Sequence, residues 1–154
     1  MSCRGREIKY LGIFIVQSRA FKCAIDDAKC SFYRAANDIF GKVDRLASEE
    51  VTLQLTKSKC IPILLSGLVA CPLNKTQSSS LDFVMNRFLM KLFSTRNMEI
   101  IKYCREQFNL ELPSVILACH TRLFLDKLHH CNNYLIKKCY AHLTDLSCFH
   151  FVYL

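Results

Sequence analysis

The sequence predicts a mainly α fold: a small helical bundle preceded by one short N-terminal β-strand or hairpin. Apolar residues recur at steps of three and four over most of the 154-residue chain, which is the period of an amphipathic helix. The chain has 3 Pro and 4 Gly, whereas an all-β fold needs turn-forming residues about every 8–12 positions. With 51% hydrophobic residues, it also has enough apolar material for a core.

Segment 8–16 is rich in β-branched and aromatic residues and predicts the strand. A single strand leaves its backbone N–H and C=O groups without hydrogen-bond partners. We therefore expect it to pair either with the short segment before it or with a strand that this chain does not contain.

The first helical stripe begins near Ala20, and Gly41 is its predicted stop. Its apolar members are Phe21, Ile25, Ala28, Phe32, Ala36 and Ile39. Ser48 predicts the N-cap of a second helix, with acidic residues in its first turn and a kink at Pro62. The predicted inner face of this helix consists of Val51, Leu55, Pro62 and Leu65. Residues 51–55 alone also fit a strand, but length and capping favour the helix.

Residues 74–80 form a polar segment that predicts a connector. The third and cleanest stripe follows it and comprises Leu81, Val84, Met85, Phe88, Leu89 and Leu92. Arg87 and Lys91 lie on another face of that helix. Asn97 is the predicted cap of a short helix with Ile101, Cys104 and Phe108 inward, and Pro113 opens the last one. That last helix is expected to turn Ile116, Cys119 and Leu123 inward.

The 21 Lys and Arg against 13 Asp and Glu give a net charge of +8. This surplus fits a polyanionic partner such as nucleic acid or an acidic membrane face. A basic helix face exposed to water, without any such partner, is the alternative. The longest apolar stretch, 60–71, is shorter than the roughly 20 residues of a membrane span, so we expect no membrane partner.

The chain has 10 Cys, but its first residues do not read as a signal peptide. The cysteines are also spaced like helix residues. We expect them to be reduced, mostly buried thiols in an intracellular protein, cytoplasmic or nuclear and not secreted.

Three residue clusters contain side chains of the kinds that carry out chemistry. Asp26-Asp27 lies within a helical stripe with no third carboxylate to complete a two-metal site, which favours two solvated side chains. Cys119-His120 has no loop that would present a nucleophile. The weak metal candidates are Cys131, Cys139, His142 and Cys148, whose spacing matches no zinc motif. We therefore expect no catalytic residue, no cofactor and no metal site.

Three segments, in order, carry a resemblance to a known family. They are Lys9-Tyr10-Leu11-Gly12, the segment 29–37 (KCSFYRAAN) and the segment 57–68 (KSKCIPILLSGL). Together they resemble the region after the catalytic turn of LINE-type (jockey-like) non-LTR retrotransposon reverse transcriptases. Ser66 and Val69 depart from it, since the family usually has an aromatic residue and Glu there. The palm with its metal-binding carboxylates is missing.

The resemblance implies a noncatalytic remnant of an RNA-directed DNA polymerase from a transposable element. In these terms residues 1–16 are a remnant palm-edge strand, 17–94 a thumb-like helical bundle, and 95–154 a helical extension whose tail after about residue 128 is unassigned. It further implies sequence-independent binding to the backbone of an RNA–DNA or DNA duplex. The implied contacts are the strand residues Lys9, Tyr10, Leu11 and Gly12, and the helical residues Lys29, Arg34, Lys57 and Lys59.

The alternatives are a helical interaction protein, a translated transposon relic without a selected function, and a zinc-dependent binding module built on the Cys- and His-rich tail. Loss of the palm would leave apolar surface exposed, which favours self-association.

Overall fold

The computed structural model describes residues 7–10, 13–17, 22–43 and 48–135. Three strands, β1 (Glu7–Tyr10), β2 (Ile13–Val16) and β3 (Lys22–Ala24), come first. The helices that follow form the bundle: α1 (Asp26–Val43), α2 (Glu49–Leu55), α3 (Ile61–Leu65), α4 (Lys75–Leu92), α5 (Met98–Gln107) and α6 (Pro113–His130). A π-helical turn, Thr56–Cys60, joins α2 to α3, and a 3₁₀ turn, Leu68–Ala70, follows α3. The predicted mainly helical fold is confirmed.

In the described residues the strands form one antiparallel sheet in the order β1-β2-β3. Lys9 pairs with Phe14 between β1 and β2, and Ile15 pairs with Cys23 between β2 and β3. The hairpin alternative is thus confirmed, whereas one continuous strand over 8–16 is wrong. The expected partners, the segment before the strand or a strand outside this chain, are not the ones observed. The predicted strand instead folds back on itself and also pairs with residues 22–24, so that three short strands satisfy one another's backbone groups.

Helix α1 begins at Asp26, later than the predicted Ala20, and residues 22–24 are strand instead. Hydrogen bonding to β2 makes these residues a strand, although the spacing of the apolar residues predicted a helix there. Asp26 and Asp27 fall in the first turn of α1, where the helix dipole favours negative charge. Gly41 does not stop the helix, which continues to Val43. Phe21 lies outside the described residues.

The helix predicted after Ser48 is broken into α2, the π-helical turn and α3. Ser48 caps α2, since its side chain accepts a hydrogen bond from the Val51 amide. The break precedes Pro62, at the start of α3, as the predicted kink requires. The predicted inner face is correct at Leu65, which is buried, and wrong at Val51 and Pro62, which are exposed. The buried residues of this stretch are Thr52, Leu53, Thr56, Cys60, Ile61, Leu64 and Leu65. A π-helical turn rotates the following residues relative to an uninterrupted α-helix, which shifts the face.

The predicted connector over 74–80 is wrong beyond its first residue, because α4 already begins at Lys75. Asn74 and Gln77 form a capping box, in which each side chain accepts from the other's backbone amide. The stripe that follows is confirmed. Its buried members are Leu81, Val84, Met85, Phe88 and Leu89.

Asn97 caps α5 through the Glu99 amide, and Pro113 opens α6, both as predicted. Helix α6 packs against α4 and the 3₁₀ turn. Its predicted inner face is wrong in part, because Cys119 and Leu123 are exposed, whereas Pro113 and Leu117 are buried. The packing partner, which lies far away in sequence, selects the buried face.

A disulfide joins Cys23 of β3 to Cys71, just after the 3₁₀ turn, with 6.4 Å between the Cα atoms. The prediction of reduced thiols is therefore wrong for this pair, and the exposed Cys30 and Cys119 are not the buried residues expected. Cys60 fits the prediction, since it is a buried free thiol. Within the described residues, no helix is both long enough and apolar enough to cross a membrane.

Candidate nucleic-acid interface

A groove of about 480 Å³ lies where the sheet meets α1 and α3. Its walls come from Lys9 and Phe14 of the sheet, Asp27, Ala28, Ser31 and Arg34 of α1, and Pro62, Ile63 and Ser66 at α3. All three segments that carry the reverse-transcriptase resemblance therefore contribute to one surface feature. Segments 9–12 and 57–68 are distant in sequence, so their meeting is a property of the tertiary structure.

The sheet wall presents a cation beside an aromatic ring. Lys9 and Phe14 are directly opposed across β1 and β2, so their side chains lie on the same face of the sheet. The Lys9 ammonium lies 5.6 Å from the centre of the Phe14 ring, within the range of a cation–π contact. This contact holds the ammonium group beside the groove.

The α1 wall is acidic at one end and basic at the other. Asp27, Ser31 and Arg34 follow one another at steps of four and three, which places them on one face of the helix. Asp27 and Arg34 are exposed, and Ser31 is half-buried. The two charged residues are seven positions apart, or about 10 Å along the helix axis. An anion would therefore favour the Arg34 end.

The α3 wall depends on a tight turn. Helix α3 ends at Leu65, and Gly67 then adopts φ 75°, a left-handed conformation that glycine reaches without steric cost. This turn presents Ser66 at the groove. The Gly in the family-like segment thus has a backbone role, and the Ser in place of an aromatic residue leaves a small hydroxyl at the groove wall.

A further cation extends the positive surface along α1. Lys91 of α4 donates to Asn37 Oδ1 at 3.1 Å and lies 4.7 Å from the centre of the Phe40 ring. Asn37 is three residues after Arg34, so the Lys91 ammonium lies roughly 5 Å further along α1. We call Lys9, Arg34 and Lys91 the basic ridge. Lys and Arg side chains on one surface are the groups with which proteins contact backbone phosphates.

The other predicted contacts are engaged within the fold or lie apart. Lys29 pairs with Asp26 at 2.7 Å and donates to Ser80 Oγ at 3.1 Å, with 22% of its side chain exposed. Lys57 donates to the Asn109 carbonyl at 3.1 Å, which ties the π-helical turn to the segment before α6. Lys59 is exposed on that turn and does not line the groove. The ammonium groups of Lys29 and Lys57 therefore stabilise contacts within the fold.

Tyr10 ends β1, one residue beyond Lys9. Leu11 and Gly12 lie outside the described residues, as do the metal candidates Cys139, His142 and Cys148. Cys131 follows the end of α6. Among the described residues, no three His, Cys, Asp or Glu side chains cluster in a way that could hold a metal ion.

Sequence reasoning assigned Lys9 and Arg34 as contacts but not the other seven groove residues: Phe14, Asp27, Ala28, Ser31, Pro62, Ile63 and Ser66. Four of these seven lie inside the family-like segments, so that signal was present for Ser31, Pro62, Ile63 and Ser66. Phe14 had no such signal, because its position beside Lys9 follows from the register of the hairpin.

Comparisons with family models, curated proteins and solved structures gave no match.

Proposed function

We propose that this chain is a noncatalytic remnant of a LINE-type retrotransposon reverse transcriptase that binds the backbone of a nucleic-acid duplex. The groove carries this proposal, because the three family-like segments meet there and bring Lys9 and Arg34 to one surface. The basic ridge adds Lys91 and supplies a cationic surface that needs no base contacts. Backbone contacts of this kind are independent of sequence and sensitive to salt. Such a function places the protein inside the cell, in the cytoplasm or nucleus.

Fluorescence anisotropy with a labelled RNA–DNA hybrid, measured from about 50 to 200 mM salt, tests the proposal. Three phosphate contacts predict a slope of about −2 to −3 for log affinity against log salt concentration. Absence of binding at about 50 mM salt would contradict the proposal. A primer-extension assay should show no nucleotide incorporation, and robust extension would contradict the noncatalytic part.

Arg34→Gln should weaken duplex binding by a few-fold to tenfold and reduce the salt slope by about one, because one phosphate contact is lost. The matched control is Arg96→Gln, which removes the same charge from an exposed residue in the α4–α5 connection. Asp27→Asn should strengthen binding, because it removes a negative charge from the groove. Equal losses for Arg34→Gln and Arg96→Gln would show that net charge, and not the groove, binds the duplex.

A second candidate, a helical interaction protein, is favoured by apolar side chains exposed on α5 and α6. Those with the largest exposed fraction are Met98, Ile100, Tyr103, Val115 and Leu123. Val115, Cys119 and Leu123 recur every four residues and form a stripe along α6. Sedimentation analysis of the unmodified protein and of Leu123→Glu tests this candidate. Self-association that Leu123→Glu abolishes would support it, and a monomer at all concentrations would oppose self-association.

A further inference from the structure

The Cys23–Cys71 disulfide crosses the boundary between the sheet and the bundle. Cys23 lies in β3, while Cys71 follows the 3₁₀ turn after α3, 48 positions further along the chain. Both cysteines are buried, with 4% and 5% of their surface exposed. The Cys71 sulfur also lies 3.5 Å from the Gly67 carbonyl. The crosslink therefore anchors the sheet to the turn that shapes the α3 wall of the groove.

Apolar packing of the sheet itself is weak. Among the strand residues whose burial is described, Cys23 is buried, Ile13 to Val16 are half-buried, and Ile8 is 71% exposed. The buried strand side chain is thus the one that forms the crosslink. Helices α1 and α4 supply fully buried side chains to the core, namely Phe32, Leu81, Met85 and Leu89. These side chains pack helix against helix, and the sheet adds only Cys23 and the half-buried Ile13 to the same cluster among the described residues.

The groove depends on this attachment, because its walls belong to both sides of the boundary. Lys9 and Phe14 come from the sheet, and Arg34 and Ser66 come from the bundle. A sheet that moves away from α3 takes the Lys9 ammonium out of the basic ridge. The remaining surface would keep Arg34 and Lys91 without their third cation.

We propose that the Cys23–Cys71 disulfide is a redox latch on the groove. When the bond is closed, the sheet is docked and the groove is assembled; when it is reduced, the sheet separates while the bundle stays folded. The separation of the sheet is independent of any ligand, whereas its effect on duplex binding rests on the proposed function. In the cytoplasm or nucleus a dithiol of the reducing pool opens the latch, and the reverse exchange with the oxidised form of that dithiol closes it.

The chemistry is thiol–disulfide exchange with a dithiol reductant. One thiolate of the reductant attacks a sulfur of the pair, which forms a mixed disulfide and releases the other cysteine as a thiolate. The second thiol of the reductant then displaces the first cysteine and closes the reductant's own disulfide. Two electrons pass to the pair, and both cysteines end as thiols after protonation. Because both sulfurs are buried, the exchange follows local opening of the sheet.

Hydrogen–deuterium exchange on the full chain, oxidised or treated with dithiothreitol, tests the latch. Reduction should accelerate exchange in peptides covering β1, β2 and β3 by at least about tenfold, because the sheet opens without its crosslink. Peptides covering α1 and α4 should change less than about twofold. Equal protection of the sheet in both states would overturn the latch.

Two double variants serve as controls. Cys23→Ala/Cys71→Ala should exchange like the reduced protein and show no response to dithiothreitol. Cys30→Ala/Cys119→Ala removes two exposed free thiols and should keep the full response. A response that disappears in this second variant would assign the effect to other cysteines. The primary experiment is reduction of the unmodified protein. The latch can therefore still be tested if one of the variants fails to fold.

Anisotropy with the RNA–DNA hybrid separates the latch from the proposed function. Reduction should lower the affinity of the unmodified protein by about tenfold and leave that of Cys23→Ala/Cys71→Ala unchanged, since one of three phosphate contacts is lost. If the oxidised protein does not bind the hybrid, the proposed function is wrong. The latch is then tested by the hydrogen–deuterium exchange experiment alone. Undiminished binding by a protein whose sheet has opened would overturn control of the groove by the latch.

Discussion

The bundle and the sheet of this protein are held in place by different interactions. Helices α1 and α4 meet through fully buried side chains such as Phe32 and Leu89, and Phe32 also lies edge-on to Phe88, with 6.0 Å between ring centres. The strands pair with one another through their backbones, and the sheet is attached to the bundle by the half-buried Ile13 and by the Cys23–Cys71 crosslink. Apolar packing in the bundle is not affected by a reductant, whereas the disulfide that attaches the sheet is cleaved by one. The groove lies between the two regions and depends on both.

The largest expected effect comes from the centre of the bundle. Phe32→Ala should lower the free energy of unfolding by about 3–5 kcal/mol, because it leaves a cavity among packed side chains. Urea denaturation followed by circular dichroism measures this loss. Phe83→Ala is the control, since Phe83 is on α4 but 58% exposed, and it should change stability by less than about 1 kcal/mol. Similar losses at both positions would show that the bundle has no defined centre.

Removal of the crosslink should have the next largest effect. Cys23→Ala/Cys71→Ala should lower the free energy of unfolding by about 2–4 kcal/mol, because the unfolded chain regains the freedom of a long loop. The helical circular dichroism signal should remain. Loss of that signal at room temperature would mean that the bundle cannot fold without the docked sheet.

A smaller effect is expected where α6 joins the bundle. Asp82 of α4 accepts from the Ser114 amide at 2.9 Å and from the Ser114 hydroxyl at 2.8 Å. Asp82→Ala should cost about 1–2 kcal/mol, as does the loss of other helix caps. Asp82→Asn keeps one acceptor and should recover part of the loss. No change for Asp82→Ala in urea denaturation would show that α6 is attached by packing alone.

The smallest effect is a difference in thiol reactivity. Burial raises the pKa of the Cys60 thiol, and a hydrogen bond with Thr56 offsets this in part. Cys60 therefore stays protonated at neutral pH and should react with iodoacetamide more slowly than the exposed Cys30. In the reduced protein, Cys23 and Cys71 should react before Cys60, because the sheet opens before the bundle. Mass spectrometry gives the order in which the cysteines are alkylated. Alkylation of Cys60 before Cys23 and Cys71 would contradict the idea that the sheet opens more easily than the bundle.

The direction of the pH dependence follows from the same thiol. Its pKa is higher in the folded chain than in the unfolded chain, so the unfolded chain releases the proton first as pH rises. The stability linked to Cys60 is present below the ordinary thiol pKa and is lost as pH rises toward the raised value. Cys60→Ala should flatten this alkaline loss.

The groove shows how far the candidate site was predictable. Lys9 and Arg34 were assigned from family-like segments, and both line the groove. Lys29 was assigned on the same basis, but its ammonium group lies between Asp26 and Ser80. A segment match does not show whether a lysine faces solvent or a neighbouring carboxylate. That depends on which helix packs beside it, and Ser80 is 51 positions from Lys29.

The sequence by itself determined the features that depend on a few neighbouring residues. The caps at Ser48 and Asn97, the start of α6 at Pro113 and the buried stripe of α4 all follow from interactions within one or two helical turns. Only the tertiary structure decided the strand pairing, the rotation at the π-helical turn, the exposed stripe of α6, the disulfide and the groove. Each of these depends on contacts between distant segments, such as Cys23 and Cys71. The periodicity of a helix specifies which residues share a face, but not which face another part of the chain will cover.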